Sequence, residues 1–157
     1  MSDFFLRPVE CSDLLPIAEL YMEIYLQTNS IEKWTINSST NYVTYFYDQC
    51  KELFFVAKCK EVLVGGVWGQ VKPWWSGNKI YNLEVFVKGV HQRQGLSKLL
   101  LRRFFEEAYA RFRAVTVEAV TFNDRSFPLD YYERIELKKD KQLVLLEGNI
   151  SDILKNL

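Results

Sequence analysis

Apolar and polar positions recur with two different periods along the chain, and the switches between them mark the elements. Phe4-Phe5-Leu6-Arg7 is a short apolar run stopped by Pro8 and reads as a first strand. Leu14, Ile17, Ala18, Leu20, Tyr21, Ile24 and Tyr25 then fall at helical spacing, behind Ser12 as the expected N-cap and Asp13 as a first-turn negative charge. A second helix is expected after Ser38-Ser39, carrying Tyr42, Val43, Tyr45, Phe46 and Cys50. The period shortens at 53–57, a β-prone run that turns at 58–61 and returns as a partner strand over 62–69. A polar loop bearing Trp74 and Trp75 leads to a strand at 80–87, with Leu83, Val85 and Val87 on one face and Glu84 and Phe86 on the other. Leu96, Leu99, Leu100, Phe104 and Ala108 predict a long amphipathic helix. Strands are expected at 114–120 and 142–146, with a turn at 123–126 and a short helix at 129–135 between them. The order, two helices within a strand meander and then strand–helix–strand–helix–strand, predicts a mixed α/β or α+β fold in a single domain over 1–157.

Composition narrows the function. One residue in three is Leu, Ile, Val or Phe, which excludes intrinsic disorder. Twenty basic residues balance twenty acidic ones, so there is no basic excess to hold nucleic acid. Cys11, Cys50 and Cys59 are odd in number, lack C-x-x-C spacing and share the chain with one histidine, His91. A disulfide framework and a metal site are both disfavoured, and free thiols suit a reducing compartment. No signal-peptide pattern opens the chain, and its longest uncharged apolar stretch is about half the ~20 residues a membrane span needs. The expectation is a cytoplasmic protein without membrane or nucleic-acid partners.

The informative segment is Val87-Lys88-Gly89-Val90-His91-Gln92-Arg93-Gln94-Gly95-Leu96-Ser97. A strand ends, a glycine-bearing loop follows and a long helix begins. The first N–H groups of a helix lack internal partners and sit at the positive end of its dipole, so they can bind phosphate. Any strand-to-helix loop can contain a glycine, and the residues alone leave both readings open. Neither a Walker A triplet nor G-x-G-x-x-G is present.

The segment resembles the acetyl-CoA loop of the GNAT N-acetyltransferases, whose Gln/Arg-x-x-Gly-x-Gly/Ala pattern follows a strand-ending valine by five residues. Here Gln92-Arg93-Gln94-Gly95-Leu96-Ser97 stands five residues after Val87, with Ser97 in place of Gly or Ala. Phe5-Leu6-Arg7-Pro8 with Asp13, the runs at 53–57 and 62–66, and Tyr131-Tyr132-Glu133-Arg134-Ile135-Glu136-Leu137 extend the likeness over nearly the whole chain. The last segment is similar to the family's Tyr-Glu-Lys-Leu-Gly-Phe. Glu136 replaces its glycine, Leu137 its phenylalanine, and 123–132 is about two residues longer than usual.

The resemblance implies a GNAT fold, a mixed and strongly twisted central sheet flanked by helices. It implies direct transfer of an acetyl group from acetyl-CoA, as co-substrate, to an amine of a small molecule or peptide. Backbone amides at Gln92, Arg93, Gln94, Gly95, Leu96 and Ser97 would take the pyrophosphate. Val85, Phe86 and Val87 would line the pantetheine arm, with the central strands splaying apart after Val85–Val87, and Asn123 would touch it or serve as a plain turn residue. Tyr132 would protonate the leaving thiolate, with Tyr131 as the alternative in a shifted register. Glu84 would deprotonate the amine or be an exposed strand carboxylate. No metal is implied. The acceptor site is expected among the first two helices and the loops, where Trp34, Trp74, Trp75 and many tyrosines gather, and the same aromatics would suit a homodimer interface. The other reading is a GNAT-fold domain that binds acetyl-CoA or a protein partner without turnover.

Overall fold

Five strands form one sheet in the order β1-β2-β3-β4-β5, with antiparallel pairing from β1 to β4 and parallel pairing of β4 with β5. The computed structural model describes residues 4–28, 31–124 and 126–157. The elements are β1 (Phe4–Pro8), α1 (Leu14–Gln27), α2 (Ile36–Cys50), β2 (Phe54–Cys59), β3 (Val62–Lys72), β4 (Asn78–Val87), α3 (Leu96–Phe112), β5 (Ala114–Val117), α4 (Ser126–Arg134) and α5 (Ile150–Lys155). They fall into two compact units, 1–120 and 121–157.

In the first unit the sheet is covered on both faces, which explains why 53–57 reads as unbroken apolar sequence. On one face, Ile17, Ala18, Leu20 and Tyr21 of α1 and Val43, Phe46 and Cys50 of α2 close over Phe54, Val56, Trp68 and Phe86. On the other, a Cβ at Gly65 would meet Leu96 and Leu100 of α3, and one at Gly69 would lie 2.6 Å from the Phe104 ring. Gly66 meets the opposite helix layer's side of the sheet, where a Cβ would come within 2.6 Å of the Phe86 ring. The glycines of β3 are therefore contact points, small because a packed ring stands where a side chain would go.

Two helix starts differ from expectation. Ser12 is not the N-cap of α1. Cys11–Asp13 forms a 3₁₀ turn and Asp13 holds the cap position. The Asp13 carboxylate accepts from Arg7 Nη1 at 2.7 Å, from Arg7 Nη2 at 2.8 Å and from the Glu10 N–H at 2.8 Å. Burial alone would raise this carboxyl, but Arg7 and the Glu10 amide outweigh it and hold it below the usual range. Helix α2 starts at Ile36, before Ser38-Ser39. Thr35 caps it by accepting from the Ser38 N–H at 3.2 Å, and the Ser38 hydroxyl accepts from the Thr35 N–H at 2.9 Å. The start was expected after Ser38-Ser39, whereas Ser38 lies inside the first turn as the reciprocal partner of a capping box.

Strand β4 contains one extra residue. Trp68 pairs with Glu84 but Gln70 pairs with Tyr81, which leaves a bulge. Asn82 occupies it at φ +50°, donating from Nδ2 to Gln70 Oε1 at 2.8 Å. Strand β5 is shorter than expected, ending at Val117 where 120 was predicted.

In the second unit, α4 begins at Ser126 with a non-helical Phe127, and the expected turn at 123–126 includes Arg125, which lies outside the described residues. The predicted strand at 142–146 does not form. Leu143, Val144, Leu145 and Leu146 are exposed and lack strand pairing. Their β-propensity has no ladder to act through.

Candidate active site

The site starts where β4 loses its neighbour. Strand β5 pairs with β4 only at Asn78, Lys79 and Ile80, and the last bond runs from the Glu118 N–H to the Ile80 carbonyl at 2.9 Å. The parting was expected after Val85–Val87. It begins just past Ile80, beside the Asn82 bulge, because a bulge adds local twist and bends the strand. On the β3 side, the Lys88 N–H donates to the Val64 carbonyl at 2.8 Å. Backbone groups alternate sides along a strand, so those of Val85 and Val87 point away from β3, toward the gap. The Val87 carbonyl there accepts from Gln92 Nε2 at 3.0 Å.

At the end of β4 the chain makes a 3₁₀ turn at Gly89–His91 and enters the loop. Arg93 (φ +61°) and Gly95 (φ +84°) are both left-handed, a conformation open to glycine but costing an arginine about 1 kcal/mol. Gly95 is the N-cap of α3, and no atom lies within 4 Å of where its Cβ would be. Leu96 is buried, while Gln94 donates from its side chain to the Val90 carbonyl at 2.9 Å. His91 is half-buried and meets the Phe4 ring edge-on at 5.9 Å.

Glu84 lies on the α1–α2 face, opposite Trp68. It accepts hydrogen bonds from Tyr21 Oη at 3.4 Å and from Tyr25 Oη at 3.4 Å. These two tyrosines are one helical turn apart on α1, so both reach the same carboxylate. Burial, then the negative charge of Glu32, push the Glu84 carboxyl up to about 7, and the two tyrosine bonds restrain the rise. Burial and the Glu84 charge in turn push the Tyr21 and Tyr25 hydroxyls well above the phenol range and Tyr42 up to about 12. All three stay protonated as donors. Trp34 completes the wall, 5.3 Å from Tyr21 and 4.8 Å from Tyr42 between ring centroids.

Trp34 thus packs against Tyr21 and Tyr25, the two hydrogen-bond partners of Glu84. Trp74 and Trp75 are not part of this wall. Trp74 lies under the Lys72 and Lys79 ammonium groups at 5.1 and 4.5 Å, and Trp75 is exposed. Tyr21, Tyr25 and Glu32 were not singled out. The spacing of two tyrosines four apart on the core face of α1 was the only local signal for them.

Tyr132, Tyr131 and Asn123 belong to the second unit. Asn123 Oδ1 accepts from Lys139 Nζ at 2.7 Å. The Tyr131 and Tyr132 rings lie 5.7 Å apart, and the Tyr131 hydroxyl is buried without a partner among the described residues. After α4 the Leu137 N–H donates to the Tyr132 carbonyl at 3.0 Å, with Glu136 at φ +70°. That is the helix ending in which glycine is usual. No group of His, Cys, Asp or Glu that could hold a metal occurs among the described residues, and none of their helices is long and apolar enough to cross a membrane.

Comparison with known proteins agrees with the fold. The acetyltransferase (GNAT) family matches residues 16–135, and the chain belongs to it. Among solved structures, it is similar to an integron cassette protein from the mobile metagenome of V. cholerae, with 14% identity, 100% of this chain and 99% of that chain covered, and a TM-score of 0.77. A predicted acetyltransferase with acetyl-CoA from Clostridium acetobutylicum shares 13% identity over 96% and 98% of the two chains, with a TM-score of 0.75. An aminoglycoside N-acetyltransferase in complex with CoA shares 11% over 94% and 96%, with a TM-score of 0.74. None of the curated proteins matches the chain. The fold is the GNAT fold, a mixed sheet flanked by helices, and the class of the protein is N-acetyltransferase.

Proposed function

We propose that the chain transfers the acetyl group of acetyl-CoA directly to an amine, with Glu84 as the base and Tyr132 as the acid. The observation that carries this is the gap beside β4 ending at a glycine-opened helix start. The residues there fit acetyl-CoA. Open space at Gly95 lets a pyrophosphate approach the amides at 92–97, and the backbone at Val85 and Val87, with Phe86 between, faces a side that no strand pairs. When bound, acetyl-CoA supplies the thioester whose C–S bond breaks as the C–N bond forms.

The chain's own part is to move two protons. A lysine-type ammonium has a pKa of about 10.4, so proton transfer to an ordinary glutamate runs about six units uphill. At about 7, Glu84 nearly halves that gap and is still ionised in half its copies at neutral pH. It takes one proton from the ammonium, and the freed lone pair attacks the acetyl carbon. Tyr132 gives its proton to the departing thiolate, and the second proton lost by the nitrogen as it becomes an amide passes through solvent and restores the phenol. The left-handed Glu136 supports this register, because it stands where the family's glycine falls when Tyr132 takes the acid's place. The unpartnered Tyr131 hydroxyl favours the neighbouring register. Asn123 is a further pantetheine contact in this reading.

The family match runs across the boundary of the two units, which supports one functional domain over 1–157. The three cysteines are free, as expected of a cytoplasmic protein. Release of CoA thiol, followed on a panel of amines, tests the reading. Tyr132→Phe is expected to lower kcat by about 10²–10⁴-fold with little change in acetyl-CoA affinity. A slow Tyr131→Phe beside a normal Tyr132→Phe moves the acid by one residue. Binding of acetyl-CoA with no release on any amine favours a binding domain without turnover.

A further inference from the structure

Four aromatic rings from α1, α2 and the segment joining them pack on one another beside Glu84. Tyr21 and Tyr25 lie 4.6 Å apart by centroid, and Tyr21 lies 5.5 Å from Tyr42. Trp34 lies 5.3 Å from Tyr21, 6.0 Å from Tyr25 and 4.8 Å from Tyr42. Tyr21 touches the other three and is buried, while Tyr25, Trp34 and Tyr42 are half-buried and keep part of their surface open. The polar hydrogens of the cluster are largely engaged already. Tyr21 and Tyr25 Oη both donate to the Glu84 carboxylate at 3.4 Å, and Trp34 Nε1 donates to Glu32 Oε2 at 2.7 Å. What the cluster has left to offer a ligand is mainly ring surface.

That surface selects by chemistry. A sugar amine or a peptide would bring hydroxyls or amides to a wall poor in free donors, and each buried one would lose water without a replacement bond. An alkyl chain would gain apolar contact alone. A ring gains the same contact and also the edge-to-face geometry the cluster already uses, as between Tyr21 and Trp34 at 88°. Tyr25 joins the two ends of the site, with its hydroxyl on Glu84 and its ring against Trp34. An ammonium at Glu84 therefore stands a short spacer away from open aromatic surface. Resting on the acetyl-transfer reading above, we propose that the acceptor is a primary arylalkylamine. Its nitrogen sits at Glu84, and its ring packs on Tyr25, Trp34 and Tyr42.

The test compares 2-phenylethylamine with its saturated twin 2-cyclohexylethylamine, with butylamine and with glucosamine on the full chain. Binding is read by calorimetry and turnover by thiol release. 2-Phenylethylamine is expected to bind about fivefold more tightly than the cyclohexyl amine and about 30-fold more tightly than butylamine, with glucosamine weakest. Trp34→Leu keeps an apolar side chain and removes the ring, and the phenyl-to-cyclohexyl ratio should fall toward one. Tyr42→Leu, on the other side of the cluster, should move the same ratio the same way, and circular dichroism checks that each variant is folded. Equal binding of the phenyl and cyclohexyl amines, no binding of any of the four, or a ratio unmoved in a folded variant overturns the inference. Phenyl-selective binding without thiol release on any amine upholds the inference and refutes acetyl transfer. Thiol release with butylamine or glucosamine equal to that with 2-phenylethylamine upholds acetyl transfer and refutes the aromatic acceptor.

Discussion

The loop at 88–97 and the wall around Glu84 are the two halves of the proposed site, and they are built by opposite means. The loop works through backbone. Its N–H groups at the start of α3, the left-handed Gly95 and the open space above it owe little to neighbouring side chains. The wall works through side chains from three elements. Tyr21 and Tyr25 come from α1, Tyr42 from α2, and Glu84 from β4. A backbone-built site tolerates most side-chain changes but not a change in the shape of the chain. A packed site tolerates changes of its parts poorly, because each holds the next.

Substitutions can break that contrast. The largest expected effect is Glu84→Gln, which keeps size and removes the proposed base. kcat/KM should drop by about 10³-fold at neutral pH, and the acid limb of its pH profile, centred near 7, should flatten. A profile unchanged from wild type removes Glu84 from the chemistry. Next is Arg7→Ala, which leaves the Asp13 carboxylate buried at the start of α1. The loss should be about 3 kcal/mol by urea unfolding at neutral pH. The Asp13 pKa is lowered in the fold, so the pair's contribution is present above the unfolded carboxyl value and lost as pH falls through the folded one. The penalty of Arg7→Ala should therefore shrink in acid.

Gly95→Trp comes third. It should weaken acetyl-CoA about 10²-fold by calorimetry while the far-ultraviolet spectrum holds, since the space it fills is empty and the left-handed backbone costs a non-glycine residue only about 1 kcal/mol. Fourth, Glu84→Gln should raise stability above pH 7 by about 2 kcal/mol, allowing for partial solvent access. The folded pKa is raised, so the native protein binds more protons than the unfolded chain between roughly 4.5 and 7, and wild-type stability falls across that window. The variant should lose that slope. The smallest effect is Tyr21→Phe, which removes a bond that favours the ionised carboxyl. The acid limb of kcat/KM should move to higher pH, as steady-state rates across pH 5–9 will show.

The contrast also explains what the sequence displays. The loop was readable because its parts are adjacent. A strand-ending Val87, a glycine at Gly95 and the apolar period from Leu96 lie within ten residues. The face of Glu84 was readable from strand alternation. Its partners were not, because Tyr21 and Tyr25 lie about sixty residues away and only packing brings them there. The misplaced helix starts have the same origin. Ser12 has the right chemistry, but the Arg7–Asp13 pair sets the turn, and Thr35 competes with Ser38 for one cap and wins through a reciprocal bond. At 142–146 the β-prone composition was visible, whereas the absence of a partner strand was not.

Asn82 carries one more consequence. Ahead of the bulge, Ile80 meets the α3 layer through Gly69. Beyond it, Glu84 and Phe86 meet the α1–α2 layer. Even-numbered residues thus change sides within a single strand, and the extra residue acts as a parity switch. Deleting Asn82 while the first half of β4 keeps its register would rotate the second half by one position. The carboxylate would then be aimed at Phe104 and the leucines of α3, with no tyrosine to receive it. The facing of Glu84 therefore depends on a residue count, and a one-codon deletion would turn the carboxylate from the α1–α2 layer to the α3 layer.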